Sequence, residues 1–187
     1  MTDAIQIIDH SDRVEQLLEP FREALGGDFE AYRGHVYRTI TYAMHILGND
    51  ERHRKMIETV FAYHDIGLWT DRELAYLEPS EEIALRDNKA LGLGLDPDIL
   101  REAIHWHHKI TPYPGKHADI VEAVRRADWI DATEGRMRKG LSKTQVRAVR
   151  HGVPDPGFTG VLMRLAKELG GNVVSGNLRV LRRVFKF

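Results

Sequence analysis

The chain has 187 residues, enough for one domain with a substantial core and cramped for two. Its 27 Lys and Arg against 28 Asp and Glu leave a formal charge of -1, so no net field draws it toward nucleic acid or anionic lipid. Cysteine is absent, which excludes disulfides, thiolate metal sites and a cysteine nucleophile, so any metal must use nitrogen and oxygen ligands.

The opening MTDAIQIIDH has no basic segment followed by an apolar run, and no uncharged apolar stretch approaches about 18 residues. A cytoplasmic chain with no membrane contact is expected. Apolar residues recur at spacings of three and four, while sustained period-two alternation is hard to find, so the reading is all-α and a single domain over 1–187. A first helix covers about Asp12 to Leu25 and breaks at Gly26-Gly27; a second runs from about Phe29 to Leu47 and closes at Gly48-Asn49. A third, about Asp50 to Ile66, should stop at Gly67 in a left-handed conformation, which puts His64 and Asp65 in its last turn. Pro79-Ser80-Glu81-Glu82 opens a fourth helix that ends near Gly92. Asp96 caps the next, with Pro97 as its first residue; it runs to about Lys109, before Pro112 and Pro114. A further helix covers roughly Ala118 to Thr133. Arg136 to Gly152 reads as a basic, glycine-broken stretch and 157–169 as a helix. Gly170-Gly171 and Gly176 then punctuate an amphipathic segment ending at Phe187.

Ten histidines stand where background usage gives about four. His35, Arg38 and Tyr42 share one face of the second helix. His64 falls seven after Ile57 and four after Val60, on the stripe that should face the core, and Asp65 follows it. Leu100, Ala103, Ile104, His107 and His108 form a complete core-facing stripe that ends in two histidines, while His105 points elsewhere. Asp128 and Asp131 lie on or beside an apolar face. A carboxylate withdrawn from water costs several kcal/mol unless compensated, and a divalent cation is the strongest compensation. Imidazole with carboxylate and no sulfur suits Mn, Fe, Co, Ni or Zn and leaves coordination positions open.

These residues in this order resemble the HD superfamily of metal-dependent phosphohydrolases, whose core pattern is H…HD…D. Here it reads as His35 in RGHVYRTI, His64-Asp65 in FAYHDIGLW and Asp128 in RRADWIDATEG, with Ile104 and His107 of AIHWHHK as a further family feature. The match spans roughly residues 30–133 and leaves 134–187 as a C-terminal extension. The resemblance implies a helical bundle, a metal held by His35, His64, Asp65 and Asp128, and hydrolysis of a small phosphoester, often a nucleotide. Two-metal members add two histidines between the His-Asp pair and the last Asp. His107 fits the second slot, but the first falls near Ser80 in PSEEIA, where only Glu81 or Glu82 could substitute, so one cation per chain is expected, Mg included among its candidates.

On that reading Asp65 binds metal and orients a water, and His107 or His108 protonates the leaving oxygen. Arg38 and Lys109 are placed to offset phosphate charge. Asp131 is expected to support a ligand rather than to be one, and the basic stretch Arg136, Arg138, Lys139, Lys143, Arg147 and Arg150 to be a solvated face. The alternatives on the same scaffold are a dinuclear iron oxygenase, a small-molecule hydratase or lyase, and a non-catalytic nucleotide-sensing module. A homo-oligomer is compatible with all of them.

Overall fold

The computed structural model describes residues 4–154 and 156–170, and every regular element among them is helical. In chain order these are α1 (Asp12–Leu18), α2 (Arg22–Leu25), α3 (Phe29–Ile46), α4 (Glu51–Tyr63), α5 (Gly67–Thr70), α6 (Leu77–Ala90), α7 (Pro97–Trp106), α8 (Ala118–Ala132), α9 (Lys143–Gly152) and α10 (Phe158–Gly170), with single 3-10 turns on either side of α2. The amphipathic segment expected from Gly171 to Phe187 lies outside the described residues. No helix among those described is long and apolar enough to cross a membrane.

Helix α3 is the axis of the bundle. Its buried residues come from every side of the helix, since every position from Gly34 to Met44 is buried, polar His35, Arg38, Thr39 and Thr41 included. α4 and α8 flank it, α7 packs on α8 and α4, and α6 packs on α7 and α4. α9 and α10 close a further side of α3. One continuous core runs from Ile8 to Leu165. The histidines and aspartates carried by α3, by the turn that follows α4 and by α8 therefore point into that core.

The caps explain where the helices begin. Asp50 accepts a bond from the Arg52 backbone N–H, and Asp96 accepts from Asp98 with Pro97 in the first turn. The stretch 136–152 contains a helix that its basic, glycine-broken composition hides. α9 starts at a reciprocal box in which the Ser142 hydroxyl accepts from Gln145 N–H and the Gln145 side chain accepts from Ser142 N–H. Val146 and Val149 bury its inner face. Among the basic residues, Arg136, Arg138, Lys143 and Arg147 are exposed and Lys139 and Arg150 half-buried.

Gly67 does not end α4 in a left-handed conformation as expected; it is the first residue of α5. What requires glycine there is close approach. A Cβ at Gly67 would lie 2.5 Å from the Tyr76 carbonyl oxygen, 3.0 Å from Ser80 Oγ and 3.1 Å from Pro79 Cβ. The Gly67 N–H donates to Ser80 Oγ at 3.0 Å, so the turn after Asp65 is pinned onto the start of α6. Gly67→Ala is expected to destabilise the fold by about 1–3 kcal/mol, because the obstruction is backbone and cannot rotate away. Urea denaturation checks this; an unchanged midpoint would show that α5 and α6 slide apart freely.

Candidate metal centre

His64 and His107 occupy the same structural position on different helices. Each is the residue that closes a helix, His64 after α4 and His107 after α7. The last carbonyls of a helix lack intrahelical partners, and each ring takes one of them: His64 Nδ1 donates to Phe61 O at 2.9 Å, and His107 Nδ1 to Ile104 O at 2.5 Å. The helices therefore stop slightly earlier than periodicity indicates, and the two histidines cap them instead of extending them. The bond also settles the tautomer. With Nδ1 carrying the hydrogen, Nε2 of a neutral ring presents a bare lone pair to the interior.

His35 reaches the same state through a side chain. Its Nδ1 lies 2.8 Å from Asp131 Oδ2, and Arg38 clamps both oxygens of that carboxylate, Nε to Oδ1 at 2.7 Å and an Nη to Oδ2 at 2.8 Å. His35, Arg38, His64 and His107 are 0% exposed, and Asp65, Asp128 and Asp131 no more than 3%. Phe158, at the head of α10, stacks on the His35 ring with centroids 4.0 Å apart and planes 13° from parallel. The C-terminal extension thus contributes to the site, although the sequence motifs end before it.

The inward-facing atoms converge. His35 Nε2 is 3.0 Å from His64 Nε2, 3.4 Å from Asp128 Oδ1 and 3.9 Å from Asp65 Oδ2. His64 Nε2 is 3.3 Å from Asp65 Oδ2 and 3.6 Å from Asp128 Oδ1. A cation with bonds of about 2.1 Å separates its ligand atoms by about 3.0 Å at right angles and about 4.2 Å when opposed. All the measured edges fall in that range. Each carboxylate also turns its second oxygen the other way: Asp65 Oδ1 lies 3.3 Å from His107 Nε2 and 3.6 Å from His108 Nε2, and Asp128 Oδ2 lies 3.2 Å from His108 Nδ1. Asp65 Oδ1 and His107 Nε2 are buried and make no hydrogen bond among the described residues. An acceptor facing an acceptor in the core is costly without something positive between them.

With only protons to offset the carboxylates, the electrostatics are polarised. Burial works to lower the His35 pKa, but the hydrogen bonds of Asp128 and Asp131 outweigh it and raise it to about 9; His108, between Asp128 and Asp65, is likewise raised to about 9 against its burial. Burial and then the charge of His108 push His107 down to about 4. Asp65 and Asp128 are held well below the usual carboxylate range by the surrounding imidazoles, although burial opposes this. Metal binding requires such a set, with ionised carboxylates and imidazoles whose protons a cation can displace.

The structure brings His35, His64, Asp65 and Asp128 together, with His107 and His108 beside them. Arg38 was expected to meet phosphate; instead its guanidinium is buried and committed to Asp131 and, at 3.0 Å, to the Pro154 carbonyl, because an isolated buried Asp131 would need that partner. Lys109 is half-buried with its ammonium 5.6 Å above the Trp106 ring, next to His108 but bonded to none of the cluster. Ser80 takes the Gly67 N–H, Glu81 takes His105 Nδ1 at 2.8 Å, and Glu82 is exposed, so none of the three supplies a ligand. Sequence reasoning missed Tyr76, which is buried with its hydroxyl bonded to His108 Nε2. It lies outside any periodic segment, and no spacing marks it. No family model, curated protein or solved structure matches this chain.

Proposed function

We propose that this chain is a metal-dependent phosphohydrolase acting on a small phosphoester, with one divalent transition metal on His35, His64, Asp65 and Asp128. The observation that carries the cation is the convergence of three imidazoles, each locked at Nδ1, on Asp65 and Asp128, with Asp65 Oδ1 and His107 Nε2 buried and making no hydrogen bond among the described residues. The phosphoester rests on the resemblance of the H…HD…D order, which the donor set suits but does not derive. Nitrogen and oxygen donors without sulfur favour Mn, Fe, Co, Ni or Zn over a structural thiolate site.

A cation bound there would supply Lewis acidity, lowering the pKa of a water and polarising a phosphoryl oxygen. The protein's own groups do the rest. Asp65 offers Oδ2 to the His35 and His64 side and Oδ1 to the His107 and His108 side, so one carboxylate spans the ligand position and the place of the reacting water. His108, between Asp65 and Asp128 and nearest the surface, is the group to hand a proton to a leaving oxygen, while His107, whose Nε2 faces Asp65 Oδ1, orients the water. Lys109, one residue on, brings positive charge to the approach, and Arg38 acts by holding Asp131 on His35.

A phosphoester panel assayed with Mn, Co, Ni, Fe or Zn restored tests this. H64A and D65N should lose at least about a hundredfold in kcat/KM, since each removes a ligand and a buried charge balance. Unchanged turnover in either variant ends the proposal. Two irons per chain with oxygen consumption and no phosphate release would replace it with the oxygenase reading.

A further inference from the structure

We propose that Tyr76 is the gate of this metal centre: its phenol covers the side of the cluster that reaches solvent, and it must swing aside before a cation or a phosphoryl oxygen can pass. The inference rests on the metal reading above and adds the residue that controls access to it.

The argument begins with exposure. His35, His64, Asp65, His107 and Asp128 are 0–2% exposed, whereas the His108 side chain is 17% exposed. His108 is thus the member of the cluster through which it meets solvent. Tyr76 lies across that imidazole: its hydroxyl bonds Nε2, and its ring stands edge-on to the imidazole with centroids 5.9 Å apart and planes at 79°. His108 Nε2 is in turn 3.6 Å from Asp65 Oδ1, one of the two buried atoms of the cluster that make no hydrogen bond among the described residues. The phenol oxygen therefore takes up a place, beside His108 and Asp65, that an incoming oxygen would need.

The backbone and the side chain of Tyr76 differ in freedom. Its carbonyl accepts the Ser80 N–H at 3.0 Å and is pressed against Gly67, so the main chain is fixed at the junction of α5 and α6. Opening is then a rotation of the phenol between staggered χ1 wells, with no loop displacement. The bond to His108, the ring edge and the packing of a phenol that is only 5% exposed hold it shut, so opening exchanges core contacts for those of the incoming ligand.

Cation exchange reads this gate without a known substrate. The full-length chain is loaded with Co2+, freed of excess, and mixed with a chromogenic chelator for wild type, Tyr76→Phe and Tyr76→Ala. Release should be at least tenfold faster in Tyr76→Ala, and about threefold faster in Tyr76→Phe, which keeps the ring and loses the hydroxyl. Cobalt stoichiometry and visible spectrum should stay as in wild type, which separates a gate from a ligand or a merely structural role. Equal release rates in wild type and Tyr76→Ala at equal loading would overturn the proposal. If Tyr76→Ala does not fold, Tyr76→Leu takes its place with the same criterion. A wild-type chain that takes up no cation would remove the metal reading and the gate with it, whereas normal loading with unchanged release would remove the gate alone.

Discussion

Stripping divalent cations from this chain is expected to lower its melting temperature by about 10 °C relative to protein held at saturating metal. A ligand that binds only the folded state at a thousand times its dissociation constant stabilises by about 4 kcal/mol. For a chain of this length each kcal/mol moves the midpoint by about 2–4 °C. The gap should also depend on pH, and its sign follows from the imidazoles. His35 and His108 have folded pKa values raised to about 9 from an ordinary 6.5, so the stability their protons contribute is fully present below about 6.5 and is lost as pH rises toward 9. The metal-free protein should therefore weaken across pH 6.5–9. Over the same window metal uptake should strengthen, because fewer protons compete for those nitrogens. Calorimetry with and without each metal at pH 6.5 and pH 8.5 checks both trends. A gap that vanishes with every metal, or that narrows as pH rises, would contradict the assignment; in Asp128→Ala the gap should disappear.

Most of the framework was legible because burial imposes a period. α3, α4, α6, α7 and α8 announced themselves through apolar spacing and through caps such as Asp96-Pro97, and the residues that broke the apolar faces, His35, His64, His107 and Asp128, are those the structure brings into contact. Helix ends were less legible. The rings of His64 and His107 bind carbonyls three residues back, so α4 and α7 end in capping histidines and Gly67 opens a new turn. Residues that reach the site from irregular or remote segments left no pattern to read. Phe158 and Pro154 touch His35 and Arg38 across more than a hundred residues of chain, and Tyr76 sits in a connection whose composition is ordinary. Arg38 was misassigned for a physical reason: an arginine beside a cluster of acids looks the same in sequence whether it faces an anionic substrate or neutralises a buried neighbour. The partner across the helices, Asp131, decides between them.

That pair yields the other large expected effect. Asp131 receives His35 Nδ1–H and the fork of Arg38, all of them buried, so Asp131→Ala deletes one charge and strips the buried Arg38 of the carboxylate that grips its fork. Breaking a buried pair from one side costs about 3–5 kcal/mol, much of it the desolvation of the orphaned partner. The double variant Arg38→Met with Asp131→Ala removes both charges and keeps most of the volume, so it should be more stable than Asp131→Ala alone although it carries one more mutation. This non-additivity is the signature to measure, by urea denaturation of the two single variants and the double. Metal affinity should respond differently. His35 loses its orienting carboxylate in both Asp131 variants, and both should bind cation about 10–100 times more weakly than wild type, whereas Arg38→Met, which keeps the carboxylate on His35, should lose less. Additive stabilities with unchanged affinity in Asp131→Ala would mean that the carboxylate neither balances Arg38 nor aims the imidazole. The route from Arg38 through Asp131 to the centre would then be only packing.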